Sequence, residues 1–406
     1  MRTQMNRKIL SAYQTPLYVF DMKNLKERIG FLRSRLPEDV SLCYAVKANP
    51  FILGRMEKWI DRFEVCSPGE LRICQAHQLP VRKLVISGVF KSPELMEELI
   101  RAGEQPCAYT VESEEQLEML KALAEKAGQN IHVLLRLTSG NQFGMDEEVV
   151  RRILCGDLTG SRLTVRGIQY FSGTQKKSVR RLQKELDYVD GFIRKLREEN
   201  GISVPELEFG PGFPVAYFQG EDFDEEEFLK EVSGLMNGLT CGAKLTLELG
   251  RSIAASCGSY LTRVVDTKTN KGQNYAILDG GMHQLVYYGQ SMAMKQPVYS
   301  LFPERTAEDG DVKKWNLCGS LCTINDILAK QLPMADLKKG DVIRFENTGA
   351  YCMTEGIALF LSRDLPEIIL IDEQEQIVPL RGPVPVYHLN LPEKPAEDRP
   401  ENGRED

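Results

Sequence analysis

The chain has 406 residues, enough for two or three domains, and its 42% hydrophobic and 27% charged content is that of an ordinary globular protein. A net charge of −7 leaves no basic footprint, which argues against nucleic acid as a partner. No apolar run approaches the roughly 18 residues of a membrane span, and the opening Met1-Arg2-Thr3-Gln4-Met5 has no apolar signal core, so a cytoplasmic protein without a membrane partner is expected.

In chain order, Pro16-Leu17-Tyr18-Val19-Phe20 reads as a strand and Leu25–Leu36 as a helix. A rhythm then sets in. Short apolar runs recur at Leu42–Val46, Phe63–Cys66, Leu84–Ile86, Ala108–Val111, Ile131–Leu137, Val165–Phe171, Leu207–Phe209 and Leu245–Leu249. Between them Pro93–Ala102, Ser113–Ala127, Glu147–Leu154 and Val179–Glu198 carry apolar residues at helical spacing. Strand and helix alternating eight times over about 210 residues predict an α/β protein built on a (β/α)8 TIM-type barrel, with an open doubly wound sheet as the alternative. After Arg251 the texture changes: Tyr260–Val265, Tyr275–Leu278, Val342–Phe345, Ile357–Leu361 and Ile368–Ile371 are strand-like, with few helices between them. This predicts a C-terminal β-sandwich or β-barrel domain completed by the N-terminal strand. The expected boundaries are 26–258 for the barrel, 1–25 and 259–390 for the β domain, and a disordered, charged and proline-rich tail at 391–406.

In a (β/α)8 barrel the site lies at the C-terminal ends of the strands, and the unusual residues of this chain collect there. Lys47 ends the first barrel strand, which Asn49-Pro50 then stops. A lysine so placed is expected to sit dry, lose proton affinity and act as a nucleophile toward carbonyls. Ser67-Pro68-Gly69-Glu70, Gly88, Arg136, Phe171-Ser172-Gly173-Thr174-Gln175, Gly210-Pro211-Gly212 and Glu248-Leu249-Gly250-Arg251 follow at or near later strand ends. Glycines beside a hydroxyl and an arginine form a candidate phosphate cradle. The ten cysteines include no CxxC pair, so neither a metal site nor a disulfide framework is expected, and Cys43, Cys66 and Cys257 read as small packing groups.

Several of these stretches carry a family resemblance. Tyr44-Ala45-Val46-Lys47-Ala48-Asn49-Pro50 resembles the cofactor-lysine motif of the pyridoxal-phosphate-dependent diaminopimelate, ornithine and arginine decarboxylases, whose barrel is of the alanine-racemase type. Phe63–Leu71, Gly210-Pro211-Gly212-Phe213, Glu248-Leu249-Gly250-Arg251, Asp279-Gly280-Gly281-Met282, the Cys318–Asp326 loop and Gly349-Ala350-Tyr351 match further family motifs in order. The resemblance covers roughly residues 15–370 and implies pyridoxal 5'-phosphate as cofactor. It implies that Lys47 holds the cofactor covalently, that Glu248 meets the pyridine nitrogen, and that Thr174, Gly210, Gly212, Arg251 and Tyr351 hold the phosphate, with Glu64 and Arg136 lining the site. Cys322 matches the family's proton-donating thiol, which comes from a second subunit, so a homodimer with shared sites is implied. Thr323, Asp326 and Tyr351 are the implied substrate contacts.

Three positions depart from the family. Phe171 stands where a ring-stacking histidine is usual, and an aromatic ring stacks there as well. Thr323 follows the cysteine where members acting on diamino acids carry an acid, which weakens the case for a substrate with a distal ammonium. Gly281–Leu285 and Tyr287–Gln290 lack the arginine segment of the diaminopimelate enzymes. With Leu321-Cys322-Thr323 they look more like the branch that decarboxylates amino acids tethered to a carrier protein. His283 reads as a loop residue rather than a catalyst. The reading is an α-amino-acid decarboxylase of the diaminopimelate-decarboxylase type, with a small-molecule substrate or, as an alternative, a carrier-bound aminoacyl one. A racemase and an inactive regulatory homologue are further alternatives.

Overall fold

The computed structural model describes residues 2–158, 160–305 and 312–392. The predicted charged tail from 393 onward lies outside the described residues. Strand β1 (Leu17–Asp21) precedes the barrel, which is built from β2 (Ser41–Ala45), β3 (Arg62–Val65), β4 (Leu84–Ile86), β5 (Ala108–Val111), β6 (Ile131–Leu137), β7 (Leu163–Phe171), β8 (Glu206–Gly210) and β9 (Lys244–Leu249). These eight strands pair in parallel and in order, and β9 returns to β2 with Leu42 opposite Leu247, so the ring closes. The barrel is therefore confirmed over the open sheet. The helices around it begin where capping side chains meet amphipathic runs: Ser67, Ser92, Ser113, Ser178 and Asp224 each accept an N–H from the first turn that follows.

The second unit is a mixed sheet of nine strands. Besides β1 it contains β10 (Gly258–Asn270), β11 (Gln273–Leu278), β12 (Tyr299–Phe302), β13 (Lys313–Cys318), β14 (Ile327–Met334), β15 (Val342–Phe345), β16 (Glu367–Ile371) and β17 (Ile377–Arg381). The N-terminal strand completes it as expected, antiparallel to β10 and parallel to β16. Ile9, in a helix over Arg2–Ala12 that the apolar pattern did not announce, packs with Leu17, Val19, Leu261 and Ile369.

The predicted strand at Ile357–Leu361 does not form. That segment is a chain of turns, with Leu361 and Ser362 at positive φ and Ile357, Leu359, Phe360 and Leu361 exposed, so its apolar residues have no ladder to join. β14 and β17 close the two ends of the main sheet path and carry Pro333 and Pro379, a position where a missing N–H is tolerated. We propose the domain division 26–258 against 1–25 with 259–390, because β10 begins at the second boundary and runs at once into the sheet.

The two units are sewn together beside the first barrel strand. Asn49 Nδ2 donates to the Gly349 carbonyl at 2.9 Å, and the Tyr351 N–H donates to the Ala48 carbonyl at 2.8 Å. The Gly349–Tyr351 segment is thus fixed to the two residues that follow Lys47.

Candidate active site

At the C-terminal mouth of the barrel a cavity of about 590 Å³ opens. Nine of the residues predicted to meet the cofactor line it: Lys47, Glu64, Arg136, Phe171, Thr174, Gly212, Glu248, Arg251 and Tyr351. Lys47 lies two residues beyond the end of β2, in a helical turn over Val46–Ala48. Its ammonium donates to Glu64 Oε2 at 2.6 Å, lies 3.8 Å from Glu248 Oε1, and approaches Cys66 Sγ at 3.5 Å. Arg136 pairs with Glu112 at 2.9 Å and lies over the Phe143 ring at 4.6 Å.

The far end of the cavity is built from glycines and a clamped cation. Gly212 has φ of +61°, and a Cβ there would run into the Gly173 carbonyl, so neither the backbone conformation nor the space admits a side chain. A Cβ on Gly250 would come within 2.8 Å of Tyr351 Oη. Arg251 lies 4.6 Å from both the Tyr288 and Tyr351 rings, donates to Tyr217 Oη at 2.8 Å, and points Nε at Thr174 Oγ1 at 3.4 Å. Tyr351 holds φ of +65°, an uncommon state for a large residue, kept in place by its N–H bond to Ala48.

Gly210 does not line the cavity. A Cβ there would strike the Phe171 ring, so the glycine leaves room for that ring against β8.

The electrostatics differ from the expected dry, weakly basic lysine. Burial does push the Lys47 amine down, but the carboxylates of Glu64 and Glu248 outweigh it and raise the ammonium well above the usual lysine range. Glu64 is pushed up by burial, but Lys47 and the Cys66 and Lys47 hydrogen bonds bring it below the ordinary carboxylate range. Glu248 is pushed up to about 7, by burial first and by Glu64 second. The Lys47 ammonium thus stands between one firm carboxylate, Glu64, and one carboxyl that titrates near neutrality, Glu248.

Three predicted residues lie elsewhere in the chain. Cys322 is exposed and Thr323 half-buried on a turn of the sheet unit, and neither lines this chain's own cavity. Asp326 does not line this cavity either: its carboxylate accepts the N–H groups of Met282 at 2.7 Å and Leu321 at 2.8 Å, and Gly281 and Gly319 crowd against it. It shapes the turn that carries Cys322. His283 is buried in its loop, and burial lowers its imidazole to about 4.

Sequence reasoning missed Cys66 and Glu112. Cys66 is not a packing group but a cavity wall, donating to Glu64 Oε1 at 2.8 Å. Glu112 directly follows β5, in the strand-end position that already marked Lys47, and that spacing was the available signal.

Residues 17–349 match the family model described as "Pyridoxal-dependent decarboxylase, C-terminal sheet domain". The chain belongs to this decarboxylase family. It is a pyridoxal-phosphate-dependent carboxy-lyase. The decarboxylase is 27% identical to the L-glutamyl-[BtrI acyl-carrier protein] decarboxylase of Niallia circulans, over 89% of this chain and 90% of that one. It is 24% identical to the diaminopimelate decarboxylase of Aquifex aeolicus, over 85% and 84%. Its fold matches that of diaminopimelate decarboxylase from Helicobacter pylori complexed with L-lysine, with a TM-score of 0.80 over 95% of this chain and 98% of that one at 20% identity.

The donor set suits pyridoxal phosphate. An amine stands between two carboxylates for the ring end, and a hydroxyl, a glycine turn closed to any Cβ and an arginine stand together for the phosphate end.

Proposed function

We propose that this decarboxylase removes the α-carboxylate of an L- or meso-configured amino acid, in the manner of the diaminopimelate decarboxylases. The observation that carries the reading is Lys47 held 2.6 Å from Glu64 and 3.8 Å from Glu248, in the same cavity as Thr174, Gly212 and Arg251. Bound pyridoxal phosphate supplies the electron sink for the pair released when CO2 departs. Lys47 supplies the amine that holds it and, once freed, carries a proton between solvent and the substrate Cα. Glu248 would meet the ring nitrogen and keep it protonated. Phe171 gives the ring a flat apolar wall, and Thr174, Gly212, Arg251 and Tyr351 hold the phosphate and so fix which substrate bond stands ready to break.

A homodimer with shared sites belongs to the same proposal, because Cys322 and Thr323 sit exposed, away from the cavity of their own chain. Cys322 of the partner subunit would then be the alternative to Lys47 as the proton donor to the substrate Cα. Mixing Lys47→Ala and Cys322→Ala proteins is expected to restore about a quarter of wild-type turnover, because half of randomly paired dimers regain one intact site. Mixtures no more active than either parent would rule out the shared site. Action in the cytoplasm is part of the same reading.

A second reading is favoured by one observation. Thr323 carries no charge, and the Asp326 carboxylate is spent on Met282 and Leu321, so the Cys322 turn offers no free acid to a distal ammonium. That suits an aminoacyl group presented by a carrier protein better than a free diamino acid. CO2 release from the cofactor-loaded protein separates the readings. The panel holds meso-diaminopimelate, lysine, ornithine, arginine, glutamate and a glutamyl thioester of a carrier domain. Release from meso-diaminopimelate supports the first reading, release from the thioester alone supports the second, and release from none overturns both.

A further inference from the structure

Below the cavity floor the barrel interior holds a polar column that the proposed mechanism does not use. Gln169 on β7 reaches inward, and its amide nitrogen donates both hydrogens to carboxylates: to Glu208 Oε1 on β8 at 3.0 Å and to Glu248 Oε2 on β9 at 3.1 Å. Among the described residues this is the one hydrogen bond within 3.5 Å that the Glu248 side chain receives. Glu208 has 0% exposure, and its Oε2 has no hydrogen-bond partner. Arg62 on β3 reaches that oxygen only at 3.9 Å, because its hydrogen bonds go to Glu206.

We propose that Gln169 and Glu208 are positioning residues for Glu248, a buried amide-and-carboxyl support that aims the Glu248 carboxylate into the cavity and couples it to a second charge deeper in the barrel. The inference rests on the assignment of Glu248 to the cofactor ring. An isolated carboxylate at the end of a strand has free rotation about its own bonds. A donor shared with a neighbouring strand removes that freedom, and the β7–β8–β9 pairing fixes where the donor sits.

The chemistry of Glu208 suits the task. Burial first and Glu248 second push it up to about 8, so it holds its proton to a higher pH than Glu248, which titrates at about 7. The groups facing it are Cys43 on β2, Arg62 and Glu64 on β3, Glu206 on its own strand and Glu248 on β9, with Arg62 the one cation among them. When Glu208 ionises at alkaline pH, a negative charge appears beneath Glu248 and strengthens the pull on a proton at the ring nitrogen.

The test is pyridoxal phosphate affinity, followed with the visible absorption of the bound cofactor from pH 6 to 9. The proteins are wild type, Gln169→Met, Glu208→Leu, Glu208→Gln and a Glu248→Gln control, each checked for Tm without cofactor. Gln169→Met and Glu208→Leu are expected to bind at least about tenfold more weakly. Glu208→Gln, which keeps the hydrogen-bond acceptor without its charge, is expected to stay within about threefold of wild type at pH 6. It should also lose the change in affinity and absorption that wild type shows between pH 7 and 9. A packing role alone would leave that pH profile in place. Unaltered affinity in Gln169→Met, or a wild-type pH profile in Glu208→Gln, overturns the inference when Glu248→Gln itself responds. If Glu248→Gln also binds as wild type, the assignment of Glu248 to the cofactor fails and the inference fails with it. Should Gln169→Met or Glu208→Leu not fold, the isosteric Glu208→Gln decides by its pH profile.

Discussion

Lys47→Ala is expected to be colourless with pyridoxal phosphate and to lose decarboxylation by about a thousandfold or more, since both the covalent anchor and a proton carrier go with one amine. Its place explains the size of the effect. Tyr351 and Asn49 pin the backbone directly after Lys47, which fixes the turn that carries the amine. Lys91, a buried lysine that does not line the cavity, is tied to the Gly88 carbonyl at 2.7 Å and to Gln116 at 3.0 Å. Lys47→Arg separates charge from chemistry, because it leaves a cation between Glu64 and Glu248 but no amine that can form the covalent link. It is expected to restore apo stability lost in Lys47→Ala while remaining inactive. Turnover within tenfold of wild type in either variant, measured as CO2 release, would remove Lys47 from the proposed role.

How much of this was legible depends on what the residues report. The barrel strands were readable because each is a short apolar run between turn signals; the pairing of β9 with β2, which no strand count supplies, closes the ring. The sheet unit was harder: β13 opens with Lys313-Lys314, and β14 and β17 contain prolines, so three real strands looked like loops. Ile357–Leu361 misled in the opposite direction, since apolar content alone does not supply a pairing partner. At the site, motifs located residues at strand ends, where side chains converge whatever their neighbours. Gln169 and Glu208 were hidden because they lie inside strands, and a polar residue in an apolar run does not say which face it takes. The cationic state of Lys47 was also out of reach, for it depends on Glu64 and Glu248, which come from strands on either side of β2.

The largest stability effect is expected at the opposite end of the same polar column, in Arg62→Met. Arg62 gives two bonds to Glu206, which also accepts from Arg166 at 2.8 Å and Thr246 at 3.0 Å. Removing the guanidinium leaves buried Glu206 with only the half-buried Arg166, and Glu208 with no cation near it. Truncating one side of such a buried pair costs about 3–5 kcal/mol. The pH dependence has a definite sign. Glu208 and Glu248 have native values raised to about 8 and about 7, so the native state holds protons that the unfolded chain releases near the ordinary carboxylate range. Their contribution is full in acid and is lost as pH rises through 7 to 8. Glu206, held below the ordinary carboxylate range against its burial by Arg62, contributes in the other direction, its share lost as pH falls. Without Arg62 all three carboxyls favour their neutral forms. The variant should therefore lose less at pH 6 than at pH 9, where the carboxylates must stay charged without their cation. Urea unfolding of the cofactor-free protein at the two pH values measures this. A loss below about 1 kcal/mol at both would show that Arg166 and Thr246 suffice for Glu206. An equal loss at pH 6 and pH 9 would mean that Glu208 is already ionised at pH 6 in the native barrel, against the burial and the neighbouring Glu248 that keep it neutral.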